Sequence, residues 1–146
     1  FLTNCIHVVR LDHTAVLRTI GDSFLRFAKD FNAPLNLRNV TSIGSLFLSE
    51  CITFAQPIYL SPKLDTIGSG FVSRVRKFVG PVYIDTTAIP ADRSNSYNSL
   101  SSIASFDDTY SQGITITGPG AAAWKEALPN VQSTANGYRK LILVEE

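Results

Sequence analysis

The stretch from Asp12 to Phe31, DHTAVLRTIGDSFLRFAKDF, carries the most regular apolar pattern in the chain. Large apolar side chains recur there at intervals of three or four residues, at Val16, Ile20, Phe24, Phe27 and Phe31. Charged residues of alternating sign follow each other four positions apart, at Arg18, Asp22, Arg26 and Asp30. This period places the apolar residues on one face of an α-helix, and opposite charges at this spacing support a helix. The stretch therefore predicts a helix over residues 12–31.

The segments on either side predict a mixture of strands and helices. In chain order, the other predicted elements are a strand over 4–11, helices over 40–55 and 61–78, strands over 81–87 and 114–117, a helix over 121–128 and a strand over 138–146. An extended strand is the alternative for 40–55 and for the segment from Phe71 onward. No internal repeat stands out, and 90–112 is predicted as a long polar loop. The sequence thus predicts one compact α+β domain over 1–146, with a small mixed β-sheet packed against three to four helices.

Composition restricts the class of protein. Charged residues make up 17% of the 146 residues, against roughly 25% in an average domain. The net charge of +1 is far below the basic excess of a typical free-standing nucleic-acid-binding domain. No apolar run reaches the roughly 18 residues that a membrane-spanning helix needs, so no membrane insertion is predicted. The chain starts at Phe1 and contains no Met, and we therefore expect a segment or a processed part of a longer polypeptide.

One short string has the form of a catalytic motif. Residues 21–24, GDSF, resemble the nucleophile block of the GDSL-type esterases, and the resemblance implies Ser23 as the nucleophile of a hydrolase. In that family a later Asp-x-x-His supplies the base, whereas both His7 and His13 precede the block here. Ser23 then lacks a partner to accept its proton. With Asp12, the two histidines form no metal-ligand pattern. No catalytic, cofactor-binding or metal-binding residue is predicted.

A cluster of basic residues provides a candidate contact with phosphate or nucleic acid. It consists of Lys63, Arg74, Arg76 and Lys77. Such clusters position proteins on phosphate groups without reading the base sequence. A solvated helix face explains the same residues equally well.

Taken together, these observations favour a function carried by surfaces. The low charge, the polar loop and the absence of a catalytic set predict a structural assembly protein, specifically part of a viral capsid (coat) protein. It would act through self-association or contacts with neighbouring subunits, as a homo-oligomer in the virion. The first alternative is a secreted or processed binding domain with a Cys5–Cys51 disulfide and a glycosylated Asn39. The second is a hydrolase of unrecognised type.

Overall fold

The computed structural model describes residues 7–8, 11, 14–68, 71–72, 75, 77–88, 114–127 and 141–144. These residues form a β-solenoid, in which the backbone winds in successive stacked coils. The strands are β1 (Thr19–Ile20), β2 (Leu35–Leu37), β3 (Ser42–Ile43), β4 (Ile58–Leu60), β5 (Thr66–Ile67), β6 (Val82–Tyr83), β7 (Ile114–Thr117) and β8 (Leu141–Leu143). The described part of the chain also holds a 3-10 helix, Thr14–Val16, and one α-helix, α1 (Ala121–Ala127).

The strands form two parallel sheets. One sheet has the order β1-β3-β5 and the other has the order β2-β4-β6-β7-β8. In the first three coils, paired residues lie 23 or 24 positions apart in sequence, as in Thr19 with Ser42 and Ile58 with Val82. Each of these coils therefore contributes one strand to each sheet. The structural repeat is one coil of 23 or 24 residues. A period between 20 and 50 residues is typical of solenoid architectures.

Equivalent residues of successive coils stack inside the solenoid as buried columns. Four such columns are Ile20, Ile43 and Ile67; Phe24, Phe47 and Phe71; Phe31, Phe54 and Phe78; and Leu35, Ile58 and Val82. In the first aromatic column the ring centroids of Phe47 lie 6.1 Å from Phe24 and 5.2 Å from Phe71. The second aromatic column has centroid spacings of 5.8 and 5.5 Å. The core is thus a set of side-chain ladders that run along the solenoid axis.

Glycine permits the coils to approach each other at the corner after the three-stranded sheet. A Cβ atom on Gly44 would lie 2.5 Å from a carboxylate oxygen of Asp22 in the preceding coil. A Cβ atom on Gly68 would lie 2.5 Å from the backbone nitrogen of Ser45. Real Cβ atoms do not tolerate such contacts, so only glycine allows this stacking distance.

Helix α1 closes the first aromatic column. Trp124 is buried and packs edge-on against Phe71, with ring centroids 6.3 Å apart. Its indole Nε1 donates a hydrogen bond of 2.8 Å to the carbonyl oxygen of Ala88. Trp124 therefore covers the apolar end of a column that would otherwise be exposed to water.

The predicted α+β fold with a mixed sheet and three to four helices is wrong. Within residues 12–31 the structure has a 3-10 helix, strand β1 and turns, and no α-helix in the part it describes. Ser23, Leu25 and Phe27 have φ angles of 58 to 62°, which a right-handed helix excludes. The three-to-four spacing arises because a coil alternates short extended pieces with corners, and both turn large side chains inward. Val16, assigned to the apolar stripe, is 68% exposed.

Two of the charged residues of this stretch, Asp22 and Arg26, contact the next coil. A carboxylate oxygen of Asp22 accepts a hydrogen bond of 2.7 Å from the backbone N–H of Ser45. A terminal nitrogen of Arg26 lies 3.8 Å from Oε1 of Glu50. Charge at these two positions therefore serves contacts between coils, whereas Arg18 bonds to the carbonyl oxygens of Val16 and Leu17 and Asp30 lies beside His7.

The remaining predicted elements have mixed outcomes. The helices predicted over 40–55 and 61–78 are wrong, because those segments contain β3 and β5 between turns. The strands predicted over 81–87, 114–117 and 138–146 are confirmed at β6, β7 and β8, and α1 confirms the helix of 121–128. In the strand predicted over 4–11, none of the three described residues is in a strand. The loop predicted over 90–112 lies outside the described residues.

Candidate functional site

The outer face of the five-stranded sheet carries two neighbouring tyrosines. Side chains alternate between the two faces of a strand, so Tyr59 points outward between the buried Ile58 and Leu60. Tyr83 pairs in register with Tyr59 on the next strand. The two ring centroids are 6.4 Å apart and the ring planes are inclined by 42°. Both side chains are partly exposed, and the solenoid repeat brings them together.

Arg38 completes this group of side chains. It follows the last residue of β2, is exposed, and extends over both tyrosines, with its Cζ atom 5.4 Å from the Tyr59 centroid and 5.5 Å from the Tyr83 centroid. A guanidinium at this distance is attracted by the aromatic faces. Among the residues that the structure describes, no carboxylate forms an ion pair with Arg38. We call Arg38, Tyr59 and Tyr83 the Arg–Tyr platform.

The edge of the same face that β7 and β8 form is apolar. Thr115 on β7 pairs with Ile142 on β8, and Ile142 is 45% exposed. Val144 follows β8, is 46% exposed, and donates its backbone N–H to the carbonyl oxygen of Ile116 at 3.0 Å. This face therefore combines an aromatic and cationic end with an exposed aliphatic end.

The outer face of the three-stranded sheet differs in chemistry. Its corresponding row consists of Thr19, Ser42 and Thr66, in register from strand to strand. The hydroxyl of Thr66 donates a hydrogen bond of 2.9 Å to the hydroxyl of Ser42. Short hydroxyl side chains that bond to each other offer less contact area than the platform.

The repeat accounts for the string GDSF. Ser23 lies at the corner after β1, and Leu46 occupies the same position in the following coil. The only histidine that the structure describes, His7, has its Nδ1 atom 2.9 Å from Oδ2 of Asp30. The described histidine is thus paired with Asp30, and the hydrolase alternative stays a prediction.

The basic cluster is only partly described. Lys63 and Lys77 are exposed, while Arg74 and Arg76 lie outside the described residues. Lys63 follows the carboxyl end of β4, whereas Lys77 precedes the amino end of β6. Because β4 and β6 are parallel neighbours, the two lysines lie toward opposite ends of the sheet. Contact of this cluster with nucleic acid stays a prediction.

Cys51 is a free, buried thiol, so the predicted Cys5–Cys51 disulfide is not present at this residue. Its Sγ atom donates to the carbonyl oxygen of Leu25 at 2.8 Å. Burial raises the pKa of the Cys51 thiol to about 12, and a backbone hydrogen bond with Ala28 opposes part of that shift. Such a thiol is protonated at neutral pH and a poor nucleophile. Cys5 lies outside the described residues.

Two further predicted features have only partial structural context. The side-chain amide of Asn39, the predicted glycosylation site, is half-buried and donates to the carbonyl oxygen of Ala15 at 2.8 Å. Asp12 and His13 are outside the described residues. In the remainder, no group of three or more potential metal ligands occurs.

Sequence reasoning missed the platform because it missed the repeat. The dipeptide Ile-Gly occurs at 20–21, 43–44 and 67–68, and proline recurs at 34, 57 and 81. Aligning these positions places Asn36, Tyr59 and Tyr83 in one row. This signal is present in the printed sequence and would have indicated both the solenoid and the tyrosine pair.

Comparison with known proteins finds no matching family model, no matching curated protein and no matching solved structure. In the part of the chain that is described, no helix has the length and apolar character needed to cross a membrane. The surface geometry is therefore the basis for any functional assignment.

Proposed function

We propose that the protein is a non-enzymatic binding module that recognises another protein through the outer face of its five-stranded sheet. The observation that carries the proposal is the Arg–Tyr platform, in which one guanidinium lies over two tyrosine rings from neighbouring strands. This function matches the expected binding domain, without its disulfide.

The residue types support a protein partner. Tyrosine and arginine are enriched among the residues that dominate the affinity of protein interfaces, because they combine large contact area with hydrogen-bonding groups. Solenoids typically bind partners along the extended surfaces that stacked repeats create. Here Tyr59 and Tyr83 lie on paired strands above a buried core. The backbone beneath them is already ordered, which lowers the conformational entropy that binding would cost.

The expected assembly function uses the same kind of surface. If the partner is a second copy of the chain, mutation of the platform would convert an oligomer into a monomer. Part of a viral capsid remains a proposal within this class. Sedimentation of the wild type beside Tyr59→Ala/Tyr83→Ala separates self-association from binding to a different partner.

A selection experiment tests the binding function. Random peptides displayed on phage are selected on the folded protein and then measured against Tyr59→Ala/Tyr83→Ala. We expect the double variant to lose about 30-fold or more in affinity, the effect of removing a dominant interface contact. The matched control is Thr19→Ala/Thr66→Ala on the other sheet, which should bind as the wild type does. Selected peptides that bind the tyrosine variant equally well, or a selection that enriches nothing, would contradict the proposal.

A further inference from the structure

We infer that the ligand of this face is an extended acidic peptide segment that crosses the strands, with a carboxylate at Arg38 and an apolar side chain at Ile142 and Val144. The inference rests on the proposed function and adds the chemistry and the spacing of the partner.

The charge argument begins with Arg38. Its side chain is exposed, and the described residues contain no carboxylate that forms an ion pair with it. A guanidinium above aromatic rings retains N–H donors around its edge, in a fork that matches a carboxylate. The tyrosine rings hold the guanidinium in place, so a ligand carboxylate would meet a positioned cation.

The neighbouring acidic group restricts where that carboxylate can bind. Asp85 lies two residues after Tyr83 and is partly exposed. A second carboxylate close to Asp85 would be repelled. The acidic side chain of the ligand is therefore favoured at the edge of the Arg38 guanidinium away from Asp85, and the exposed Ile142 and Val144 favour an apolar side chain beyond β6.

The distance between the two ends sets the spacing in the peptide. The Cζ atom of Arg38 is almost equidistant from the rings on β4 and β6, and β8 is two further strands away from β6. At about 4.8 Å between strands, the separation from the guanidinium to β8 is about 12 Å. An extended peptide advances about 3.3 Å per residue, and residues four apart point to the same side. The ligand should thus carry an acidic and an apolar residue about four positions apart.

Fluorescein-labelled nonapeptides test this inference by fluorescence anisotropy. Each contains one Glu and one Leu in a Ser-Thr background, separated by two, three, four or five positions. We expect the four-residue spacing to bind most tightly, and replacement of its Glu by Gln to weaken binding about tenfold, the loss of a charge-assisted hydrogen-bonded pair. Equal affinity of the Glu and Gln peptides, or absence of binding by every peptide, would overturn the inference.

A charge exchange provides the decisive control. Arg38→Glu should weaken binding of the Glu peptide about tenfold or more, and replacement of the peptide's Glu by Lys should restore binding to this variant. Lys77→Glu makes the same charge change before the amino end of β6 and should leave the affinity within about twofold. Arg38→Gln, checked for its melting temperature, repeats the test without charge reversal.

The outcomes separate the two proposals. If the phage-selected peptides depend on Tyr59 and Tyr83 but not on the charge of Arg38, the acidic ligand is wrong and the binding module stands. If neither the tyrosines nor Arg38 affects the selected peptides, both proposals fail. A labelled oligothymidylate of 20 nucleotides that binds at 150 mM salt more tightly than the best peptide, and loses binding in Arg38→Glu, would assign the face to nucleic acid instead.

Discussion

The two sheets of the solenoid carry similar residue types on their inner faces and different residue types on their outer faces. Toward the core, the three-stranded sheet presents Ile20, Ile43 and Ile67, and the five-stranded sheet presents Leu35, Ile58 and Val82, all buried aliphatic residues. Toward solvent, the first presents short hydroxyl groups and the second presents the Arg–Tyr platform. Stacking of coils therefore fixes the inner residues in both sheets, while the outer residues are available for recognition.

The largest expected effect follows from breaking an inner column. Phe47 stacks between Phe24 and Phe71, so Phe47→Ala removes contacts to two coils and leaves a cavity. We expect the free energy of unfolding to fall by about 3–5 kcal/mol, measured by urea denaturation. Ser42→Ala, on the outer side of the same coil, should cost less than about 1 kcal/mol. Similar losses in both variants would contradict the division between inner and outer residues.

A smaller effect is expected from Cys51 at alkaline pH. The folded pKa is about 12, above the ordinary value of 9.0, so above pH 9 the unfolded chain loses the thiol proton first. Stability from this group is complete below pH 9 and falls between pH 9 and 12, by about 1.4 kcal/mol per pH unit.

Cys51→Val supplies the reference for that measurement. Val75 occupies the corresponding buried position in the next coil, so valine suits the column. Between pH 8 and 10.5 the wild type should lose about 2 kcal/mol more unfolding free energy than Cys51→Val. Parallel losses in both proteins would show that Cys51 is not buried as a thiol.

The smallest effect concerns the corner segments that join the two sheets. Ser23 has a φ of 59°, a conformation that costs residues with a Cβ atom roughly 1 kcal/mol. Ser23→Gly should therefore be more stable than Ser23→Ala by about 1 kcal/mol, and both variants lack the hydroxyl. Urea denaturation of the pair measures the difference. A more stable alanine variant would argue against the left-handed conformation at this corner.

Local signals in the sequence predicted the C-terminal elements, while contacts between coils determined the rest. The alternating ITIT of β7 and the turn at Gly118 mark element boundaries within a few residues, so these predictions were correct. Phe24 and Phe31 also fit a helical period, and only the stacking of Phe47 and Phe54 on them favours the coil. A helix and a coil corner can show the same spacing over twenty residues, and a repeat distinguishes them.

The candidate site was less predictable than the fold. The sequence reasoning selected Lys63 and Lys77 for their charge, yet they lie toward opposite ends of the sheet. Tyr59 and Tyr83 are 24 positions apart and become neighbours only through parallel strand pairing. Arg38 contacts both rings from the position that directly follows β2. Composition could not indicate the Arg–Tyr platform, because its three residues lie close together only as a result of the coil length.

Two hydrogen bonds beside the 89–113 interval have a consequence for protein engineering. Ile84 donates its N–H to Thr117, and Trp124 donates to Ala88, so the described residues on both sides of the 89–113 interval are fastened to one another. A reporter domain or an affinity tag inserted within 89–113 would therefore leave in the sequence both residue pairs that fasten β6 to β7 and α1 to Ala88.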